Sequence, residues 1–380
     1  MKITNVETFL VNGGRKNFSF VVVDTDEGIY GVGENGLSSR ELAVQGAVEH
    51  LKQFLIGRDP FQIERLWQEM FRGGFFPAGN ITAGAIAAID IALWDIKGKA
   101  LGVPVYELLG GLARDKVVCY PHVTGASTEE LVENAQRHVA EGWKFVRWGL
   151  GGPIQDGDVF EPAKAVRKGI AEFEALRTAL GDEIELCFDL HTRTDPHQAI
   201  QFCNAVEQFR PFFIEDPIRS ESMYSLRNVR QHVNVPLAIG EQFHSKWEFR
   251  EVIEEELTDY ARIDICIAGG LTEAKKIAGW AETHYINLAT HNPLGPVSSA
   301  ACAQLNFACP NVGVQEQPTR PGVLLPDVVP VQMEWKDGYI LPPTRPGLGV
   351  EFDREAARKS PFQMYEVPHL VRPDGGYTNW

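Results

Sequence analysis

Three carboxylates stand at an even stride in the middle of this chain, and that stride narrows the possible folds more than any other feature. Asp189 closes Leu-Cys-Phe-Asp, Glu215 closes Phe-Phe-Ile-Glu and Glu241 follows Leu-Ala-Ile-Gly, with 26 residues in each step. Each acid ends a short apolar run of the kind a buried strand shows. A step of that length holds one strand, one helix and two short loops. Equal steps therefore set three acids at the same end of three successive parallel strands. In a β/α barrel that end is where catalytic groups gather. Three acids converging there repel one another unless a cation shares the site.

The stride continues. Asp264 follows Ala-Arg-Ile 23 residues after Glu241, His291 comes 27 after Asp264, and Glu316 comes 25 after His291. Six polar residues thus mark six successive strand ends. Asp264 and His291 would be neighbours around the barrel, where a carboxylate can hold one imidazole nitrogen and orient the other. His191 lies two residues after Asp189, so strand alternation turns it to the same face. It would enter from the third strand, across the barrel from His291 on the seventh.

The rest of the chain fits one such barrel with additions. Residues 1–115 read as an α+β unit. Strands are expected at Val6–Val11, Phe18–Val23 and Ile29–Gly33, with an Asp26-Glu27-Gly28 turn, and helices at Glu41–Ile56, Phe61–Arg72 and Thr82–Leu101. From Lys116, strand and helix patterns alternate. Eight strands are expected: Val117–Tyr120, Phe145–Trp148, Glu185–Asp189, Phe212–Glu215, Leu237–Gly240, Tyr260–Ile265, Ile286–Ala289 and Val312–Gln315. The last is followed by Pro- and Gly-rich sequence rather than a helix. The expected organisation is a capping unit at 1–115, a barrel at 116–340 and a tail at 341–380 that returns to the cap.

Composition serves mainly to exclude. The chain has 380 residues and a formal charge of −15, with no basic stripe, which argues against nucleic acid. No apolar run reaches membrane-spanning length, and the N-terminus lacks the apolar core of a signal peptide, so a cytoplasmic location is expected. The six cysteines form no CxxC pair and read as buried thiols. Three carboxylates and one divalent cation would still be net negative. An anionic substrate would therefore need direct chelation and nearby arginines.

Longer segments carry a resemblance. They are Thr25–Glu34, Ala87–Lys99, Leu108–Arg114, Asp264–Glu273, His291–Pro296 and Pro346–Glu351. Over nearly its whole length the chain resembles the acid-sugar dehydratases of the enolase superfamily, in the mandelate-racemase-like branch, of the galactonate dehydratase type. The resemblance implies a (β/α)7β barrel of TIM type, with an α+β cap completed by the C-terminal tail. It implies one Mg²⁺ held by Asp189, Glu215 and Glu241, and a homo-oligomer. It also implies a reaction: His291, paired with Asp264, removes the C2 proton, and His191 protonates the departing 3-hydroxyl. The product is a 2-keto-3-deoxy acid, and galactonate or another aldonate is the expected substrate. A divalent cation stabilises the enediolate charge as it forms, and enzymes of this superfamily join it to a Lys or His base.

Departures from the wider pattern matter. Many racemases of this branch carry Lys-x-Lys at the second strand, where this chain has Arg147 and Gly149. The missing lysine weakens a two-base racemase. Arg147 would bind the substrate carboxylate or pair with a metal ligand. Glu316 would hydrogen-bond the enediolate or the carboxylate, for which it would have to be protonated, its pKa raised by burial and neighbouring acids; the alternative is a plain ionised carboxylate bracing His291. Arg15, in the glycine-rich loop Gly13–Asn17, is expected in a mobile lid, and Phe71–Phe76 forms a second cap loop. His122 and Arg193 would face the sugar chain. The rival readings are an epimerase or cycloisomerase, and a non-catalytic sensor that keeps the fold.

Overall fold

The computed structural model describes every residue except Arg15 and Pro153. The expected lid residue Arg15 therefore lies outside the described residues. The cap begins with an antiparallel sheet of β1 (Ile3–Asn12), β2 (Asn17–Thr25) and β3 (Tyr30–Asn35), in that order. Helices α1 (Glu41–Leu55), α2 (Ile63–Arg72) and α3 (Asn80–Leu101) follow. α3 is apolar on nearly every face because it lies between the cap sheet, α1 and a barrel helix, Gly270–Glu282. Its fit to β3 depends on Gly31 and Gly33. A Cβ at either would fall 2.0 Å from the Ala92 carbonyl oxygen or 1.9 Å from that of Ala88. Only glycine lets helix and strand come this close.

The barrel strands are β4 (Val117–Tyr120), β5 (Phe145–Gly149), β6 (Glu185–Asp189), β7 (Phe213–Glu215), β8 (Leu237–Ile239), β9 (Tyr260–Ala261), β10 (Asn287–Thr290) and β11 (Val312–Glu316). They pair in parallel in chain order from β5 to β11, and β11 pairs back onto β4. A parallel bridge between His122 and Arg147 sets the chain beyond β4 against β5. Helices 128–140, 162–180, 196–206, 223–230, 246–254, 270–282 and 296–307 occupy the seven connections. Among the described residues no helix follows β11 until Arg354–Lys359. The architecture is the (β/α)7β barrel with an N-terminal α+β cap. A hairpin of β12 (Trp335–Lys336) and β13 (Tyr339–Ile340) lies antiparallel on the first half of β4.

Two stretches differ from the expectation. The sequence pattern predicts a sixth barrel strand from Tyr260 to Ile265, but β9 ends at Ala261. The chain turns at Asp264, whose carboxylate accepts the Cys266 amide at 2.8 Å and whose carbonyl accepts those of Ile267 and Ala268. This turn takes Asp264 off the strand. The tail divides in two. Residues 354–361 lie on the cap, with Arg354 bonded to Asp24, Arg358 bonded to Glu7 and Pro361 bridged to Val11. The last residues cross to the barrel mouth, where Val371 bridges Val159 and the Asn379 side chain donates to the Thr192 carbonyl at 3.4 Å.

The barrel interior explains why the site lies where it does. Tyr120, Phe145, Cys187, Phe213, Ala238, Ala289 and Val314 form a buried layer, with Tyr260 packed beside it. Two residues further along, the same strands and their ends carry His122, Arg147, Asp189, Glu215, Arg262, His291 and Glu316. Strand alternation turns i and i+2 inward together. An apolar plug thus becomes the floor of a charged chamber. All six cysteines are free and buried, and burial pushes their thiols up, Cys203 to about 12. No helix among the described residues is long and apolar enough to cross a membrane.

Candidate active site

The dyad is formed. His291 Nδ1 lies 2.7 Å from Asp264 Oδ2. The Asp264 carboxylate is fully buried, and its hold on Nδ1 leaves Nε2 to face the chamber, 3.5 Å from Glu241 Oε2 and 4.0 Å from Glu316 Oε2. An imidazole held this way keeps its basic nitrogen toward substrate. A cavity of about 280 Å³ opens above, lined in part by Arg147, Asp189, His191, Glu241 and His291. His122 joins it to a larger chamber under the cap loop, which Lys16 and Tyr365 also line.

His191 reaches this cavity by a route that simple alternation does not describe. β6 stops at Asp189, and His191 turns with a positive φ of 51°. Its backbone amide donates to Asp189 Oδ1, and its Nδ1 lies 2.9 Å from Asp189 Oδ2. The C-terminal Trp380 meets its ring edge-on at 5.7 Å. Trp380 also stacks under Arg193, whose Nη1 donates to the Leu150 carbonyl at 2.7 Å. Arg193 thus lines the cavity as a braced, largely buried cation; burial lowers it to about 10.

Two guanidiniums stand among the acids. Arg147 donates to Asp189 at 2.6 Å and to Glu215 at 3.2 Å, so of its two expected roles the pairing with a metal-ligand candidate is the one seen. Arg262, fully buried, donates to Glu215, to Glu316 at 2.7 Å, to the Tyr120 hydroxyl at 2.7 Å and, at 3.4 Å, to Glu241. The sequence pattern assigns Arg262 no role. A signal is nonetheless present: it lies two residues after Tyr260 in an inward-facing register, and two before Asp264.

Glu316 takes the ionised of its two expected forms. The other is a carboxyl raised by burial, able to donate a hydrogen bond. Burial does act that way, but Arg262, His291 and His122 outweigh it and hold the group well below the usual carboxylate range. Glu316 is an ionised acceptor: it takes bonds from Arg262, His122 and the Asn292 amide. His122 is therefore turned onto Glu316. Burial and Arg147 lower its basicity.

The expected metal ligands do not stand as a ready cluster. Among the described residues no three His, Cys, Asp or Glu side chains are grouped to hold a metal. Asp189 and Glu215 face guanidiniums instead. Yet the donor chemistry fits Mg²⁺, which takes hard carboxylate oxygens and few of them. Asp189 and Glu215 are paired across adjacent strands, and Glu241 lies just beyond β8. With all ionised, Asp189, Glu215, Glu241 and Glu316 outnumber the two guanidiniums bonded to them, Arg147 and Arg262, by two negative charges, an excess that suits a divalent cation. The strain of that excess shows at Glu241, pushed well above the usual range by burial and by Asp216 and Glu215. Asp216 is raised as well, and its Oδ2 is buried without a hydrogen-bond partner. Asp189 and Glu215 go the other way: burial opposes their ionisation, but Arg147 next to each holds them low.

A barrel with charged groups on successive strand ends, under an α+β cap, defines a family. Residues 6–110 match the mandelate racemase / muconate lactonizing enzyme N-terminal domain, and residues 130–356 match the enolase C-terminal domain-like family. The chain belongs to this family. It is 38% identical to a D-galactonate dehydratase of Ralstonia nicotianae and 36% identical to a D-mannonate dehydratase of a Sphingomonas species, each match covering all of both chains. A solved enolase from Pantoea ananatis with bound D-gluconate and Mg superposes with a TM-score of 0.93 at 34% identity, over 99% of each chain.

Proposed function

We propose that this protein is a Mg²⁺-dependent sugar-acid dehydratase, a carbon–oxygen hydro-lyase. The observation that carries the reading is the His291–Asp264 dyad, whose free nitrogen faces a chamber of ordered carboxylates and arginines. Relatives named for galactonate and mannonate support the class of substrate. Asp189, Glu215 and Glu241 would hold the ion, which supplies divalent charge beside the substrate carboxylate.

His291 Nε2 takes the C2 proton, and Asp264 stabilises the imidazolium and fixes its tautomer. His191 gives a proton to the 3-hydroxyl, which departs as water. The resulting enol tautomerises to the 2-keto-3-deoxy acid. Arg193 and His122 line the path of the sugar chain. The cap comprises residues 1–115 with the stretch 354–361 of the tail, whose last residues serve the barrel mouth instead, and the enzyme works in the cytoplasm as a homo-oligomer.

The test is a screen of purified protein with Mg²⁺ against aldonates and aldarates, read by semicarbazone absorbance of the 2-keto acid. Turnover of one acid is expected. No turnover, and no C2 proton exchange with solvent on any acid, would sink the reading. His191→Asn should separate the two half-reactions. It keeps C2 exchange near the wild-type rate and loses water release by about 10²-fold or more. If exchange and dehydration fall together, His191 is a substrate contact and not the acid.

Metal removal has a second readout. Dialysis against EDTA should abolish turnover, and adding back Mg²⁺ should raise the melting temperature. A ligand at 100 times its Kd contributes about 2.7 kcal/mol. Asp189→Asn should lose that thermal response; a variant still stabilised by Mg²⁺ would place the ion elsewhere.

A further inference from the structure

The cap reaches the dyad from behind. β3 ends in Glu34 and Asn35, and Gly36 follows. Glu34 is fully buried; its Oε1 accepts the Gly295 amide at 2.7 Å and its Oε2 accepts the Ser298 amide at 2.9 Å. Those amides close the loop that starts at His291 and open the helix Pro296–Phe307. Gly295 is small for a reason, since a Cβ there would fall 2.5 Å from Glu34 Oε1. Lys16, from the β1–β2 loop, donates to the Pro293 carbonyl in the same loop. On the other side, the Gly36 amide donates to the Cys266 carbonyl at 3.1 Å, and a Cβ at Gly36 would come within 3.1 Å of both Asp264 oxygens. One strand end of the cap therefore touches the supports of both dyad members.

We propose that Glu34 is a positioning residue of the reaction: as a carboxylate it clamps the loop 291–295 in the register where His291 meets Asp264, and on protonation it loosens that clamp. The proposal rests on the reading of His291 as the base.

The clamp is poised to titrate. Burial pushes Glu34 up to about 7, although the Ser298 and Gly295 amides and Lys16 oppose the rise; Asp264 adds to it. Lys16, which burial lowers, and Asp264 are the charged groups that face it, with the Cys266 thiol, which burial pushes up, beside them; the amides come from Gly295, just before the helix Pro296–Phe307, and from Ser298 in its first turn. An ionised carboxylate accepts at both oxygens. A protonated one turns an O–H toward one of the two N–H groups, and that bond is lost. The sign follows from the raised value. The clamp is complete above about pH 7 and opens as pH falls through it.

The test uses Glu34→Gln in the full-length protein. At pH 8 its kcat should fall between about 10- and 100-fold, as expected for a displaced catalytic group, while KM stays within about twofold. The ionisation near pH 7 should vanish from the acid side of the kcat profile. A second readout needs no substrate. In ¹⁵N-histidine-labelled protein, the His291 Nδ1–H signal, assigned by its absence in His291→Asn, should broaden below about pH 7 in wild type and be broad throughout in Glu34→Gln. An unchanged profile and signal in the variant would reduce Glu34 to a helix cap and overturn the proposal. Should Glu34→Gln fail to fold, the wild-type signal alone decides, since indifference to pH between 6 and 8 also overturns it. If the wild type turns over no acid, the spectroscopic arm still tests the clamp, and the dehydratase reading is what fails.

Discussion

His291→Asn will lower kcat by about 10²–10⁴-fold, the range a general base contributes, and will stop C2 proton exchange with solvent. The asparagine amide can still donate to Asp264, so the loop and the buried carboxylate keep a partner. It offers no basic nitrogen to the chamber. Two of its neighbours in the chamber do not suit the task. Glu316 is ionised but is spent on Arg262, His122 and Asn292. Arg147 is a guanidinium paired with two carboxylates, and holds its proton. Asp264→Asn should cost less, because it removes the tautomer lock and leaves the imidazole in place. The measurement is the initial rate of keto-acid formation, beside deuterium uptake at C2. Retention of more than a tenth of wild-type exchange by His291→Asn would put the base elsewhere.

The parts of this site that are legible in the sequence share a form. Asp189, Glu215, His291 and Glu316 each end an apolar run, so pattern and chemistry change at the same residue. Stride then orders them around a barrel. What escapes does not end a run. Arg262 sits between Ala261 and Ile263, where a charge inside an apolar stretch reads as an interruption. Its meaning comes from partners 47 and 54 residues away, Glu215 and Glu316. The ionisation of Glu316 is hidden for the same reason. Burial is readable from a hydrophobic context, but the groups that overrule burial, Arg262, His291 and His122, come from the ends of three other strands. Glu34 escapes because its role depends on where the cap docks. Trp380 escapes because a chain end has no periodicity to betray its return to the barrel mouth. His191 is found by alternation and reaches its place through a left-handed turn instead.

Arg262→Met should be the most destabilising single change in the chamber. The guanidinium is wholly buried and serves Glu215, Glu316, the Tyr120 hydroxyl and the Ala289 carbonyl. Methionine fills much of the space but takes the guanidinium from two buried carboxylates, leaving Glu215 with Arg147 alone and Glu316 with no arginine. Breaking a buried pair from one side costs about 3–5 kcal/mol, because the remaining charge is stranded. For a chain of this length that is a melting shift of about 4–6 °C. The acid response should change with it. In the wild type, burial works against ionisation of Glu215 and Glu316, and Arg262 with its neighbours holds both below the usual value. Their contribution is complete above an ordinary glutamate pKa, about 4.3, and is lost as pH falls through their lowered folded values. Without Arg262, less opposes burial: Glu215 keeps Arg147 and Glu316 keeps its imidazole neighbours, so the carboxyls take protons at higher pH than in the wild type and acid unfolding should begin earlier. Mg²⁺ should recover part of the loss in the variant, since a divalent ion held by the candidate ligands Asp189, Glu215 and Glu241 would supply some of the missing charge. Thermal melts at pH 5 and pH 8, with and without Mg²⁺, check each step. A variant that melts within about 1 °C of wild type at both pH values, against the shift expected from the stranded charges, would show that these carboxylates are neutralised by their own protons, and that Arg262 does not hold the chamber together.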